Sequence, residues 1–190
     1  MRYVLVVLLF LLASCQSDEV SSKTIDMYNT DGDMVGTAKL LEQPDGVQVT
    51  IKLEGLEPGY HGAHVHEFPK CDAPDFKTAG NHFDPEGNEH GLMHPEGAHL
   101  GDLPNVEADE GGLVDAELML AGATLTDGKN SILTGEGTSL IITEGQDDGV
   151  SQPSGDSGAR IICGEIKSGN QNESTESPTD PTELNEEQEE

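Results

Sequence analysis

All seven histidines of this 190-residue chain fall between His61 and His99. His64 and His66 are one residue apart in a β-type run. Side chains alternate across a strand, so these two rings share a face and can share one metal ion. Farther on, His82, His90, His99 and Asp102 form a set of nitrogen and oxygen donors that suits zinc, which favours four-coordinate tetrahedral sites. Histidine with carboxylate also tolerates copper. Packing or surface exposure is enough to account for His61 and His94, and these two are read as structural.

The elements that must position these groups read as strands. Val47 to Glu54 alternates apolar and polar side chains without a break, the pattern of a strand with one buried face. Leu113 to Leu120 alternates more loosely, and Ser139 to Thr143 and Ala159 to Ile166 are β-rich. Clusters of Gly, Asp, Asn and Pro punctuate the intervals, and no stretch sustains a helical period. The expected class is an all-β sandwich or barrel with Greek-key connections. Glu67 to Pro104 stands apart as a long run poor in strand residues and rich in Gly, Pro, His and Asp. A loop of that length in one domain is usually functional.

The two ends of the chain have a different character. Residues 1–14 carry Arg2 and then an apolar run too short to span a bilayer, which takes about 20 residues. They read as a targeting segment ending in Leu12-Ala13-Ser14-Cys15, which matches the bacterial lipobox, with Cys15 as the lipidated residue. Residues 15–23 would be a tether, 24–167 one domain, and 168–190 an acidic tail without the apolar side chains to form a core. The tail holds eight acids and no base, which leaves −20 of the chain's net −28 on the remainder. Such a balance argues against a nucleic-acid partner and against electrostatic attraction to anionic lipid. Removing a lipidated Cys15 from the three cysteines leaves Cys71 and Cys163, expected to be bonded in a compartment where disulfides persist. They stand 92 positions apart, so the chain-entropy model puts the bond at roughly 4 to 5 kcal/mol.

The motifs together resemble those of copper/zinc superoxide dismutases. The resemblance is carried in order by Gly62-Ala63-His64-Val65-His66-Glu67, by Ala79-Gly80-Asn81-His82-Phe83-Asp84-Pro85, by His90-Gly91, by the run from His99 to Asn105 and by the run from Gly158 to Gly164. It implies an eight-stranded Greek-key β-barrel. It also implies one copper per chain on His64, His66 and His82, and one zinc on His82, His90, His99 and Asp102, with His82 bridging the two. Cys71 and Cys163 match the family's internal disulfide, and Arg160 matches the arginine that holds superoxide beside copper. Asp147 matches the carboxylate that links a copper histidine to a zinc histidine, here His64 and His90.

One departure bears on activity. Thr143 stands where the family has a fourth copper histidine, and the chain has no histidine after His99. Three imidazoles suit Cu(I), whereas Cu(II) prefers a tetragonal set of four. The segment from Glu144 to Ala159 also lacks the cations that usually attract the anion, leaving Lys70 and Lys77 as candidate substitutes. The expectation is an extracytoplasmic, lipid-anchored antioxidant enzyme that converts superoxide to oxygen and hydrogen peroxide at a weakened copper site. The alternative is a zinc-stabilised, non-catalytic relative engaged in copper handling or envelope interactions.

Overall fold

The computed structural model describes residues 21–169; the expected targeting segment, Cys15 and residues 170–190 of the expected tail lie outside the described residues. Nine strands follow one another: β1 (Ser22–Asn29), β2 (Met34–Gln43), β3 (Gly46–Leu53), β4 (Gly59–His61), β5 (Ala63–His66), β6 (Val106–Ala108), β7 (Val114–Ala121), β8 (Gly137–Thr143) and β9 (Arg160–Lys167). Seven form an antiparallel sheet in the order β5-β8-β9-β1-β2-β3-β7, and β4 pairs with β6. The sheet curls into the expected all-β Greek-key barrel. The expected eight strands appear as nine segments because one of them is broken at Gly62, where the chain passes from pairing with β6 to pairing with β8. A Cβ at Gly62 would stand 2.5 Å from Thr143 Oγ1 and 2.9 Å from His64 Cε1, so any larger residue at this corner would displace one of those side chains.

Alternation decides what each strand buries. In β3, Val47, Val49, Ile51 and Leu53 enter the core while Gln48, Thr50 and Lys52 face outward. All of β8 is buried, because the sheet is covered there on both sides. Leu140 and Ile142 pack into the main core, and Ile141 packs with Phe76, Ala79 and Cys163 beneath the long loop.

That loop, the expected Glu67 to Pro104 segment, contains only a short 3₁₀ turn at Lys77–Ala79. Its backbone caps the free edge of β5. Val65 N–H donates to Gly101 O at 2.8 Å, Phe83 N–H to Val65 O at 2.7 Å and Leu103 N–H to Ala63 O at 3.2 Å. A Cβ at Gly101 would fall 2.3 Å from Val65 O, so glycine is needed for this close approach. Capping the edge satisfies polar groups that an open strand would expose, and it sets His82 beside His66 and Asp102 beside His64.

The domain's edges differ slightly from the sequence reading. Ser22 and Lys23, expected in the tether, already belong to β1. Ser168 N–H donates to Glu136 O and Lys23 Nζ to Gly169 O, which ties the first two residues of the expected tail to the barrel.

Candidate metal centre

The loop brings four donor atoms to one point. Asp102 Oδ1 lies 2.8 Å from His82 Nδ1, 3.2 Å from His90 Nδ1 and 3.4 Å from His99 Nδ1, and the His82 and His99 Nδ1 atoms are 3.4 Å apart. A tetrahedral zinc ion with bonds of about 2.0 to 2.1 Å needs ligands about 3.3 Å apart. The quartet fits that size, with three imidazoles and one carboxylate aimed at a shared centre. A looser group, His64, His82, His90 and Asp102, has one donor from each residue within 4.8 Å of the others. It straddles two sets of donors, whereas the separations of Asp102 from the three histidines and of His82 from His99 lie near the tetrahedral value.

Electrostatics around this point are strongly coupled. Burial alone would raise the Asp102 pKa, but hydrogen bonds from His82, His90 and His99 hold it far below the usual carboxylate range. Burial dominates at His82 and lowers its pKa to about 4. At His90 burial also works against the cation, yet hydrogen bonds to Asp102 and Asp147 overcome it and raise the pKa to about 9.

The second set of donors lies next to the first. His64 donates from Nε2 to Asp147 Oδ2 at 2.6 Å, which leaves its Nδ1 with a lone pair. His66 donates from Nδ1 to Gly80 O at 3.0 Å, which leaves the lone pair on Nε2. Both free atoms are buried and without a hydrogen-bond partner. Native proteins seldom leave buried polar atoms unpaired, at a cost of about 1 to 3 kcal/mol each. A metal ion satisfies such lone pairs. Burial also holds the His66 pKa well below its ordinary value, so the ring is neutral and free to act as a ligand. The His82 ring stacks on His64 with centroids 4.1 Å apart and lies 4.8 Å from His66, between the two sets.

Asp147 joins the sets, accepting from His64 Nε2 and from His90 Nε2 at 3.1 Å. Burial opposes its charge, but these bonds keep it ionised, well below the ordinary carboxylate range. Asn105 fixes Asp147 through two backbone hydrogen bonds, and Gln152 does the same for His90. Asn105 closes one of the sequence runs that carry the resemblance, though its contact with Asp147 is not visible there, and Gln152 lies in none of them, because a side chain that imitates backbone pairing leaves no periodic signal.

Thr143 is buried at the end of β8, where the pairing with β9 slips by one residue. Its hydroxyl donates to Gly145 O at 3.1 Å. His61 is packed as expected, with ring nitrogens 2.9 Å from Thr143 O and 2.8 Å from Glu57 O. His94 is not among the converging donors; its Nδ1 accepts from Glu96 N–H.

Arg160 is half-buried and donates to Phe76 O at 2.9 Å and to Gly80 O at 2.8 Å. Gly80 O therefore accepts from both Arg160 and His66. A cavity of about 340 Å³ opens here, lined by Arg160, His82, His99, Glu67 and Asp84 among others. Arg160 is its one cationic wall among the described residues. Lys70 and Lys77 do not line it, and Lys77 pairs with Asp75 at 2.6 Å. The disulfide joins Cys71 in the loop to Cys163 in β9, with a Cα–Cα distance of 5.7 Å.

The copper/zinc superoxide dismutase (SODC) family model matches residues 34–166. Copper/zinc superoxide dismutase 2 of Aquifex aeolicus is 40% identical over 161 residues, covering 84% of this chain and 94% of its own. The superoxide dismutase-like protein YojM of Bacillus subtilis is 39% identical over 150 residues, covering 77% and 76%. Among solved structures, a double mutant of a SOD-like protein from Bacillus subtilis, with both substitutions to histidine, superposes with a TM-score of 0.74 at 41% identity. That match covers 76% of this chain and 96% of the other.

Proposed function

This chain belongs to the copper/zinc superoxide dismutase family, and from that premise we propose that it converts superoxide to oxygen and hydrogen peroxide outside the cytoplasm, at a copper site weakened by Thr143. The observation that carries this reading is the pair of buried, unpaired lone pairs on His64 Nδ1 and His66 Nε2. A barrel without metal chemistry has no physical use for them. With His82 they make a three-imidazole set for copper, and His82, His90, His99 and Asp102 make the zinc site, one ion of each per chain.

Bound copper supplies the one-electron redox chemistry. The protein's own groups orient and attract. Asp147 and Gly80 O fix which nitrogen of His64 and of His66 is free, and such outer partners typically matter about 10 to 100-fold. Arg160, a permanent cation, holds the superoxide anion in the cavity. Glu67 and Asp84 on the same walls oppose that attraction and contribute to a slow encounter. The Cys71–Cys163 bond supports an extracytoplasmic location, since disulfides persist in oxidising compartments. Lipid on Cys15 would supply the membrane anchor.

A second reading, non-catalytic copper handling, is favoured by one observation. The Thr143 hydroxyl is engaged with Gly145 O, which leaves three imidazoles, a set that suits Cu(I) better than Cu(II). The deciding experiment measures metal content and dismutase activity before and after copper loading. Activity that appears with one bound copper supports the enzyme; copper bound one-to-one without activity supports copper handling.

A further inference from the structure

Two side-chain amides among the described residues each form a reciprocal pair of hydrogen bonds with the backbone of a distant residue. Asn105 does so with Asp147. Gln152 does so with His90, 62 positions away: His90 N–H donates to Gln152 Oε1 at 2.9 Å, and Gln152 Nε2 donates to His90 O at 2.9 Å. Gln152 is an exposed residue. Holding a long, exposed side chain in one geometry costs rotamer entropy, yet both ends of its amide are engaged with His90, and Nε2 also donates to Val150 O at 3.2 Å.

The residue it grips is the one the whole centre turns on. The His90 ring spans the two sets of donors, with Nδ1 toward Asp102 and Nε2 toward Asp147. Its backbone N–H and C=O have no partner among the described residues other than Gln152. Asp147 and Gln152 belong to the same loop, 144–159, between β8 and β9. That loop therefore holds His90 twice, by the ring and by the backbone.

We infer that Gln152 is a positioning residue of the metal centre: it fixes the His90 backbone so that Nδ1 stays in the donor quartet, and thereby sets how long zinc remains bound. The inference rests on the reading of His90 as a zinc ligand. Partners that orient metal ligands are worth about 10 to 100-fold in affinity. An exposed partner belongs at the lower end of that range.

The test uses zinc-loaded full-length protein and the variants Gln152→Leu and Gln152→Glu, with zinc release to a chromogenic chelator as the readout. Gln152→Leu should release zinc about tenfold faster. It should also shift the visible bands of the cobalt-substituted protein, which report the ligand geometry of that ion. Gln152→Glu keeps an acceptor for His90 N–H and should recover part of the retention. Melting of the metal-free Gln152→Leu variant should fall only modestly, since the His90 backbone groups lose their partner, so the cobalt bands carry the distinction. Release from Gln152→Leu at the parental rate would overturn the role of Gln152 alone. So would faster release accompanied by unchanged cobalt bands, since that pattern describes general loosening. A parent protein that takes up no zinc would overturn the underlying reading of His90, and this inference with it.

Discussion

Replacing Thr143 with histidine tests the reading of the copper site most directly. The Cα of residue 143 is well held, since its N–H donates to Gly62 O at 3.0 Å and its carbonyl lies 2.9 Å from His61 Nδ1. Its side chain projects over Gly62, where Oγ1 and His64 Cε1 come within 2.5 and 2.9 Å of one point. A larger side chain at 143 thus lies close to the His64 ring, whose Nδ1 is without a hydrogen-bond partner. The substitution removes the hydroxyl bond to Gly145 O, worth about 0.5 to 1.5 kcal/mol. It also adds volume to a buried position, at about 1 to 3 kcal/mol. The metal-free variant should therefore be less stable by about 2 to 4 kcal/mol. Against this, a fourth imidazole completes the tetragonal set that Cu(II) prefers. It should strengthen Cu(II) binding by at least the roughly tenfold assigned to lesser, outer changes, equal to about 1.4 kcal/mol. Cu(II) affinity would be measured by chelator competition, and dismutation side by side in copper-loaded parent and variant, with Arg160→Ala in the variant background as a control. Unchanged affinity and rate in a variant with copper confirmed bound would refute the reasoning, and would favour copper handling over catalysis.

Other expectations follow from charge and anchoring. In the metal-free protein the His90 pKa is raised to about 9 from an unfolded value of about 6.5, so its stabilisation is complete below 6.5 and lost as pH rises through 9. His82 is lowered to about 4, so its neutral burial costs stability as pH falls below about 6.5. Melting with chelator should therefore peak near pH 6.5, and zinc, which needs unprotonated ligands, should lift the alkaline side; a flat alkaline side in both forms would count against the His90 assignment. Because the chain is strongly acidic, dismutation by the copper-loaded protein should speed up as salt shortens the Debye length from about 30 Å to 8 Å. A fall in rate would mean that Arg160 governs the encounter. Cys15→Ala should release the protein from the membrane fraction, and retention of that variant would refute the lipid anchor.

Much of the strand pattern is legible in the sequence because burial on one face imposes a period of two, as in β3. The donors are legible as well, since neither core packing nor solubility calls for histidines crowded into one glycine-rich loop. Spacing cannot say which ring nitrogen is free. That depends on Gly80 O and Asp147, which lie 14 and 83 positions from their histidines. The corner at Gly62 is hidden for a related reason, because a glycine between two strand residues looks the same whether or not a neighbouring strand crowds it. The polar character of Ser22 and Lys23 suits a tether, yet Lys23 pairs with Leu40 in β2 because ladder bonds take no account of side-chain polarity.

Gly80 O has a further consequence. A single carbonyl oxygen receives both the His66 ring, 3.0 Å away, and the Arg160 guanidinium, 2.8 Å away, and the loop that carries it is stitched to β9 through Cys71 and Cys163. The two groups are thus measured from a common datum. On the proposed roles of His66 and Arg160, a displacement of the loop would carry copper ligand and anion holder in the same direction, so that their separation would vary less than either position. A cavity wall can then breathe to admit and release a small molecule while the distance between its two working parts stays in tolerance.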